Sequence, residues 1–234
     1  LPDIIGLAEV ENLFVMKQIL SSTILRKHDY VPVHFDSSDP RGIDTGMYYR
    51  KTRFNLLDAR PLKVKTPEGK TLDTRDILLV ILENGKTGDT LAVFVNHHPS
   101  KYGGKDSRWR REAAIETLSA AVDSVRGLGM DRIVALGDFN DTADNPLYGT
   151  VPLKNLSKDL SAQGEGTIRY NGRWEMIDLV FVSDTLAIKG AAAEVLHVPF
   201  LTVRDPSHPG EKPFRTYSGP KYLGGVSDHC PILL

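Results

Sequence analysis

Cysteine is nearly absent from this sequence, since its 234 residues contain a single one, Cys230. One cysteine excludes an intramolecular disulfide framework and a cysteine-rich zinc module. The HExxH pattern of zinc proteases is absent too, so a zinc-protease helix of that type is excluded. A single cysteine does not identify the redox compartment.

Long apolar runs and an excess of one charge are also missing. The stretches 77–82 and 91–95 are far shorter than the roughly 20 apolar residues of a membrane-spanning helix, so no span is expected. The 29 Lys and Arg residues nearly balance 30 Asp and Glu residues, for a net charge of −1. This balance disfavours a protein that coats nucleic acid through bulk charge, so an anionic substrate must be held by local charge.

The composition that remains is that of an ordinary globular protein, with 41% apolar and 25% charged residues. We expect one domain over 1–234 that acts as a monomer. Leu1 follows no start methionine or basic leader, and Leu234 comes soon after the start of a last strand, so we expect a chain clipped at both ends. Its compartment is unknown, and export through a signal peptide outside this chain stays open.

Apolar periodicity predicts a mostly β chain with two clear helices. The predicted strands are 4–10, 30–35, 46–50, 54–65, 77–83, 91–97, 131–136, 175–183 and 194–203, with a last one near Asp228. One helix starts at Glu11-Asn12, and a second is capped by Asp106-Ser107 and ends at Gly127. Many short strands with few helices predict two sheets packed face to face with helices outside.

A long loop is predicted over 204–226, where four prolines and four glycines accumulate. A connection of this length without secondary structure of its own is usually functional. We therefore expect this loop to border the site.

Four polar clusters coincide with predicted strand ends, where a scaffold presents functional side chains. The clusters are Glu9, Asn96-His97-His98, Gly137-Asp138-Phe139-Asn140 and Ser227-Asp228-His229. The carboxylates of Glu9, Asp138 and Asp228 are hard oxygen ligands suited to Mg²⁺ or Mn²⁺. Asp178 lies inside the apolar run 176–181, where a carboxylate is costly unless paired, so it needs a partner such as an imidazole.

Each cluster also has a simpler interpretation. Asp138 and Asn140 are typical of a turn, because Asp and Asn bond their own backbone two residues on. Glu9 fits an exposed strand-end acid, the Asn96 cluster fits a strand-end hydrogen-bonding group, and His229 fits a structural histidine. A cysteine hydrolase built on Cys230 and His229 is disfavoured, because neighbours in a strand point to opposite faces.

In order and spacing the clusters resemble the endonuclease/exonuclease/phosphatase family, the DNase-I-like metal-dependent phosphodiesterases. The similar segments, which span almost the whole chain, are 3–10, 96–100, 137–141, 176–181 and 227–231. The segment Arg41-Gly42-Ile43-Asp44 looks like a form common among bacterial members. Family members usually begin with a strand that ends in an asparagine, and this sequence starts after that place.

The resemblance implies a four-layer α/β sandwich and phosphoester hydrolysis with Mg²⁺ or Mn²⁺. It implies that Glu9 binds the metal with Asp228 beside it, that Asp138 orients or deprotonates the attacking water, and that Asn140 holds this water and a phosphate oxygen. A metal and positive imidazoles aimed at the phosphate would stabilise the charge that develops there.

The resemblance further implies that His229 contacts the phosphoryl group and pairs with Asp178. Two histidines follow the strand-end asparagine, and we favour His97 as the catalytic one, with His98 as the alternative. The candidate substrate-binding residues are Asn96, His98, Arg41, Arg108 and Arg111.

The substrate class stays open at this stage. The loop 96–111 holds Lys101, Lys105, Arg108, Arg110 and Arg111 against Asp106, a local charge of +4. With the aromatic and basic residues of 204–226, it suggests nucleic acid as a partner. The same loops suit a lipid or sugar phosphodiester, or solvated surface, and a non-catalytic binding module on the same fold is a further alternative.

Overall fold

The computed structural model describes residues 1–101 and 104–234, without the side chains of Lys105 and Asp106. Its strands are β1 Ile4–Val10, β2 Tyr30–His34, β3 Asp44–Arg50, β4 Phe54–Leu62, β5 Ile77–Asn84, β6 Thr90–His97, β7 Ile133–Asp138, β8 Lys154–Asn155, β9 Ile168–Tyr170, β10 Arg173–Glu175, β11 Asp178–Val182, β12 Glu194–Val195, β13 Thr202–Arg204, β14 Glu211–Pro213, β15 Tyr217–Ser218, β16 Lys221–Tyr222 and β17 Ile232–Leu233. Its helices are α1 Leu13–Ser22, α2 Arg108–Gly127, α3 Ser157–Ala162 and α4 Asp184–Ile188. No described helix is both long and apolar enough to cross a bilayer.

Two sheets form the centre of the molecule. The larger has six strands in the order β4-β5-β6-β7-β11-β8, and the smaller has three in the order β1-β3-β2. In the larger sheet β6 and β7 run parallel while the other pairs are antiparallel, whereas the smaller sheet is antiparallel. A parallel pair needs a crossover, which α2 supplies between β6 and β7.

The sheets pack face to face with a helix on each outer face. Met47 and Tyr49 of the smaller sheet meet Val93 of the larger one in a shared apolar cluster. Because side chains alternate along a strand, Tyr48 points the other way and packs against Met16 of α1. On the far side, Leu118 of α2 is among the buried residues packed on the larger sheet. These layers confirm the expected four-layer α/β sandwich.

The first helix begins as the sequence predicts, because Asn12 accepts a hydrogen bond from Val15 N–H at 2.9 Å and caps α1. At the start of α2, Ser107 makes no side-chain cap hydrogen bond. The other residue of that predicted cap, Asp106, lies outside the described side chains, as does the predicted charge of Lys105.

Several boundaries differ from the predicted ones. The strand predicted over 194–203 is interrupted and leaves the short β12 and β13. Pro199, in the gap, has no N–H to donate to a sheet. The strand predicted over 175–183 begins at Asp178, because 173–175 pairs instead with β9 in a hairpin. The loop predicted over 204–226 carries two short hairpins, β13-β14 and β15-β16.

One edge of the larger sheet receives several chemistry-bearing strand ends. His97 at the end of β6 lies opposite Asp138 at the end of β7, and Asp178 at the start of β11 lies on the other side of Asp138. Gly137 makes this close approach possible, because its φ is +128° and an added Cβ would lie 2.1 Å from Asn96 O. A larger residue would push the ends of β6 and β7 apart.

The carboxyl end of β1 reaches the same edge. Val10 pairs with Asp44 at the start of β3, and the neighbouring Thr45 donates a hydrogen bond to Asp76 O at 3.1 Å. Asp76 directly precedes β5, whose beginning pairs with the end of β6. Glu9, near the end of β1, therefore lies towards the edge where His97 and Asp138 are found.

Candidate active site

A row of three polar side chains crosses the sheet edge. His97 Nε2 lies 3.5 Å from Asp138 Oδ2. Asp178 occupies the facing position on β11. Because their three strands are neighbours in one sheet, the backbone ladder fixes the spacing of the row.

Asp178 binds the imidazole of His229, the pair that the sequence predicts. His229 Nδ1 lies 2.7 Å from Asp178 Oδ2, within hydrogen-bonding distance. The backbone N–H of Asp178 donates to Thr167 Oγ1 at 3.2 Å, and the N–H of Cys230 donates to Thr167 O at 2.7 Å. Thr167 thereby holds Asp178 and the residue that follows His229, a role that no motif in the sequence signals.

Asp138 and Asn140 form the turn that the simpler interpretation expects. The N–H of Asn140 donates to Asp138 Oδ1 at 2.7 Å, and Asn140 has a positive φ of 52°. The Asn140 side-chain amide donates to Asp138 Oδ2 at 3.1 Å and to His98 O at 2.9 Å. Both amide hydrogens are therefore used within the protein, and Oδ1 of Asn140 is the atom left to accept from water.

Burial and the neighbouring Asp178 raise the pKa of Asp138 to about 7, despite the opposing effect of His229. Burial alone would lower the pKa of His229, but Asp178, Asp138 and Asp228 outweigh it and raise this pKa to about 9. Between these values Asp138 is a carboxylate while His229 is an imidazolium. The site then holds one proton acceptor and one cation, the combination that acid-base chemistry on a charged substrate requires.

The two adjacent histidines have different surroundings. Burial, followed by the charges of Arg75 and Arg41, lowers the pKa of His97 to about 2, so His97 is neutral at physiological pH. The positive imidazole expected from the resemblance is thus found in His229 and not in His97. Burial lowers the pKa of His98 to about 3, and its ring packs on Phe139 with 4.5 Å between centroids.

Asn96 and His98 lie behind the row. Asn96 is fully buried and donates to Phe94 O and Leu136 O, while its Oδ1 lies 3.2 Å from His98 Nε2. Neither side chain has surface for a substrate. Both side chains support the end of β6, and the substrate-binding role predicted for them stays a prediction.

A buried arginine that the sequence analysis missed supports the same corner. Arg75 pairs with Asp39 at 2.9 Å and donates to His98 O at 2.5 Å. Asp39 also pairs with Arg41 at 3.2 Å, and the Arg41 side chain is half exposed. A charged pair, Arg75-Asp76, directly before the apolar strand β5 is the signal that would have identified Arg75.

The basic residues of the α2 region are largely engaged within the protein. Arg111 is buried, lies 3.4 Å from Asp141 and donates to Ser100 O at 3.0 Å. Lys101 pairs with Asp141 at 3.0 Å, and the exposed Arg108 pairs with Glu112 one turn along α2. Arg111 ties the loop to the Asp141 turn, and the substrate-binding role predicted for it stays a prediction.

The two predicted metal ligands have different surroundings. Glu9 is exposed, has a positive φ of 58°, and its carboxylate has no hydrogen-bond or ion-pair partner among the described residues. Asp228 pairs with Arg215 at 2.8 Å through Oδ2. A carboxylate without a partner near the end of β1 fits a hard divalent ion, since Mg²⁺ binds through one or two carboxylates and keeps several waters.

Cys230 has the properties of a structural residue. It is buried, and burial followed by the charge of Asp178 raises the pKa of its thiol to about 11. A thiol that stays protonated is a poor nucleophile. This property argues further against a cysteine hydrolase.

The model of one protein family, described as the endonuclease/exonuclease/phosphatase family, matches residues 1–234. No curated protein matches the sequence.

Solved structures resemble the chain along most of its length. A mannosyl-6-phosphatase of Bacteroides thetaiotaomicron VPI-5482 is 19% identical, with a TM-score of 0.65 over 98% of this chain and 83% of that one. The human Nocturnin catalytic domain with bound sulfate is 20% identical, with a TM-score of 0.62 over 83% and 71%. D. rerio TDP2 complexed with a single-strand DNA product is 17% identical, with a TM-score of 0.58 over 99% and 84%. At these identities the likeness establishes the DNase-I-like fold.

Proposed function

The chain belongs to the endonuclease/exonuclease/phosphatase family, and we propose that it is a Mg²⁺- or Mn²⁺-dependent phosphodiesterase, with nuclease activity as the leading candidate. The observation that carries this proposal is the row of His97, Asp138 and Asp178 completed by His229. A proton acceptor and an imidazolium on one sheet edge suit in-line hydrolysis of a phosphoester.

In this proposal Asp138 accepts the proton of the attacking water. The Asn140 amide fixes the Asp138 carboxylate, and Asn140 Oδ1 accepts a hydrogen bond from the same water. His229, held by Asp178, donates a hydrogen bond from Nε2 to a phosphoryl oxygen and balances its charge. His97, which is neutral and lies beside Asp138, supplies a further hydrogen bond in the site.

Glu9 would hold the metal ion, with Asp228 next to it. When bound, such an ion supplies positive charge to the phosphoryl and leaving oxygens. The unpartnered carboxylate of Glu9 supports this assignment, whereas Asp228 would share its carboxylate with Arg215.

A substrate panel tests the reaction class. The chain is assayed on DNA, RNA, abasic DNA, sphingomyelin, inositol phosphates, sugar phosphates and bis-p-nitrophenyl phosphate, each with Mg²⁺ and with EDTA. We expect turnover of at least one diester that EDTA abolishes. A lipid or sugar substrate as the best one would replace the nuclease assignment, and no turnover on any of them would favour a non-catalytic binding module.

Two variants separate metal binding from proton transfer. Glu9→Gln removes a ligand charge, so it should raise the Mg²⁺ concentration needed for half-maximal activity, and the exposed neighbour Glu11→Gln is the matched control. Asp138→Asn should lower turnover by about 10²–10⁴ without rescue by added Mg²⁺. Asn can form the same turn, so wild-type turnover in Asp138→Asn would leave Asp138 with a turn role only.

A further inference from the structure

A second group of potential metal ligands lies between β2 and β3. His34 is the last residue of β2, Asp44 is the first of β3, and Asp36 lies in the loop that joins them. One ligand atom from each of the three lies within 4.8 Å of the others. Glu9 and Asp228 do not belong to this group.

The imidazole of His34 is buried between two carboxylates, with Nδ1 at 3.9 Å from Asp36 Oδ1, and its Nε2 makes no hydrogen bond to a described residue. Its side chain is 3% exposed, and its Nε2 has no hydrogen-bond partner among the described residues. A buried imidazole nitrogen without a partner is unfavourable, and such groups in native structures usually find an ion or water. The orphaned nitrogen therefore points to a ligand.

The contact between His34 and Asp44 has the geometry of two ligands and not that of a hydrogen bond. Nε2 lies 3.2 Å from Asp44 Oδ2, yet the two atoms form no hydrogen bond. Two donor atoms bound to one ion at about 2.0–2.2 Å, at tetrahedral or octahedral angles, lie about 2.8–3.6 Å apart. Both atoms can therefore aim at one point beside the line that joins them.

Each of the two carboxylates offers an oxygen atom and a negative charge to an ion. Asp44 is 5% exposed and held by a hydrogen bond of 2.9 Å from Ser37 N–H to Oδ1, which leaves Oδ2 for an ion. Asp36 is 88% exposed, so its side chain can turn towards the ion. The nearby cation Lys63 pairs with Asp76 at 2.7 Å and does not neutralise this group.

We propose that His34, Asp36 and Asp44 bind a divalent transition-metal ion, of the zinc or manganese type, through a set of ligands that does not include Glu9. An imidazole together with carboxylates favours a transition metal over Mg²⁺, and waters complete the coordination. The ion closes the two ends of the loop 35–43. This loop carries Asp39 and Arg41, so the ion stabilises the loop whose Asp39 pairs with Arg75.

Zinc binding to the full chain tests the site. The chain is freed of metal with EDTA, returned to buffer with excess MgCl₂ and titrated with ZnCl₂ by calorimetry. We expect one Zn²⁺ per chain that Mg²⁺ does not displace, and at a hundredfold excess over Kd a rise in Tm of about 5–10 °C. No tight Zn²⁺ binding would overturn the proposal.

Variants locate the ion. Asp36→Asn changes an exposed side chain that cannot affect folding much, and it should weaken Zn²⁺ binding about tenfold or more, since a ligand charge is lost. Asp123→Asn, exposed on α2, is the matched control. Glu9→Gln should retain the same Zn²⁺ affinity.

The variant His34→Gln would remove the imidazole ligand, but it changes a buried side chain and can fold poorly. A spectroscopic measurement on the wild-type chain does not depend on that variant. Zn²⁺ should shift the imidazole resonances of His34 in the wild-type chain. Unchanged resonances, or equal affinity in Asp36→Asn and the wild type, would identify His34 and Asp44 as a plain ion pair and overturn the metal site.

Discussion

At the scale of single residues, the charge of His229 depends on Asp178. Asp178→Asn removes the negative partner, so the pKa of His229 should fall from about 9 towards its ordinary value of 6.5. If His229 acts as an imidazolium, the alkaline limb of the kcat profile should move to lower pH by a unit or more. The acidic limb, set by Asp138 near pH 7, should also move to lower pH, because Asp178 is one of the causes that raise the pKa of Asp138.

The same pair contributes to stability in a defined pH window. The folded pKa of His229 lies above the unfolded one, so its contribution is complete below about pH 6.5 and is lost as pH rises through about 9. Urea unfolding of the wild type and of Asp178→Asn across this window measures it. Parallel stability curves for the two proteins would show that the imidazolium does not depend on Asp178.

Arg75 should be the most sensitive charged residue for stability. Its side chain and that of Asp39 are 5% and 4% exposed, so Arg75→Met leaves the buried Asp39 carboxylate with only the half-exposed Arg41 as a cation. Breaking such a pair costs about 3–5 kcal/mol of unfolding free energy. The exposed Arg108→Met, which breaks the pair with Glu112, should cost less than about 1 kcal/mol.

Urea unfolding of both variants measures these costs. The double variant Arg75→Met with Asp39→Asn should recover part of the loss, because no charge remains buried. A loss in Arg75→Met as small as that in Arg108→Met would mean that water or another cation compensates Asp39.

At the scale of elements, the junction of β6 and β7 depends on one glycine. Gly137→Ala adds a Cβ 2.1 Å from Asn96 O at a φ of +128°. Gly88→Ala is the control, because Gly88 has a φ of +72° with nothing within 4 Å of the added atom. The control should lose about 1–2 kcal/mol of unfolding free energy, because alanine is unfavourable at a positive φ.

Gly137→Ala should lose clearly more unfolding free energy than Gly88→Ala, because the backbone must move as well. Its turnover should also fall, because His97 and Asp138 separate. Thermal unfolding and a kcat measurement on both variants decide this. Equal losses of stability in the two alanine variants would mean that the ends of β6 and β7 move apart at no extra cost.

The strands were the most predictable elements, since the buried runs are continuous or alternating. The boundaries of β1 agree with the prediction, and those of β5 and β6 agree within one residue. The short helices α3 and α4 were not predicted, because five or six residues show too little periodicity. The hairpin β9-β10 was missed because its three-residue strands carry no alternation.

The candidate site was predictable where a functional group ends a strand, as with Asp138 and His97. The hydrogen bond between Asp178 and His229 was predictable because a carboxylate in an apolar run requires a partner. Arg75 and Thr167 were not, because their roles depend on contacts with residues distant in sequence. Burial also escapes local patterns, so the internal contacts of Asn96 and Arg111 were not predicted.

At the scale of the whole molecule, the single cysteine reports on global unfolding. Cys230 is 1% exposed, and burial with the charge of Asp178 raises the pKa of its thiol to about 11, so the folded chain should react slowly with a disulfide reagent. If 1–234 unfolds as one unit, labelling in urea should follow the loss of helical circular dichroism. Cys230→Ala should take up no label.

A labelling midpoint well below the circular-dichroism midpoint would contradict a single cooperative unit. It would show that the segment after β16 opens while α2 and the larger sheet remain folded.

The opposition of Asp138 and Asp178 on β7 and β11 also bears on the chain during its synthesis. When β11 first pairs with β7, His229 has not yet been added, so two carboxylates face each other without a cation. At about 5–20 residues per second, the ribosome needs roughly 3–10 s to pass from 178 to 229. Until then one carboxyl keeps its proton or the strands stay apart. The pairing of β11 with β7 at this point is therefore expected to become stable only once His229 is in place beside Asp178.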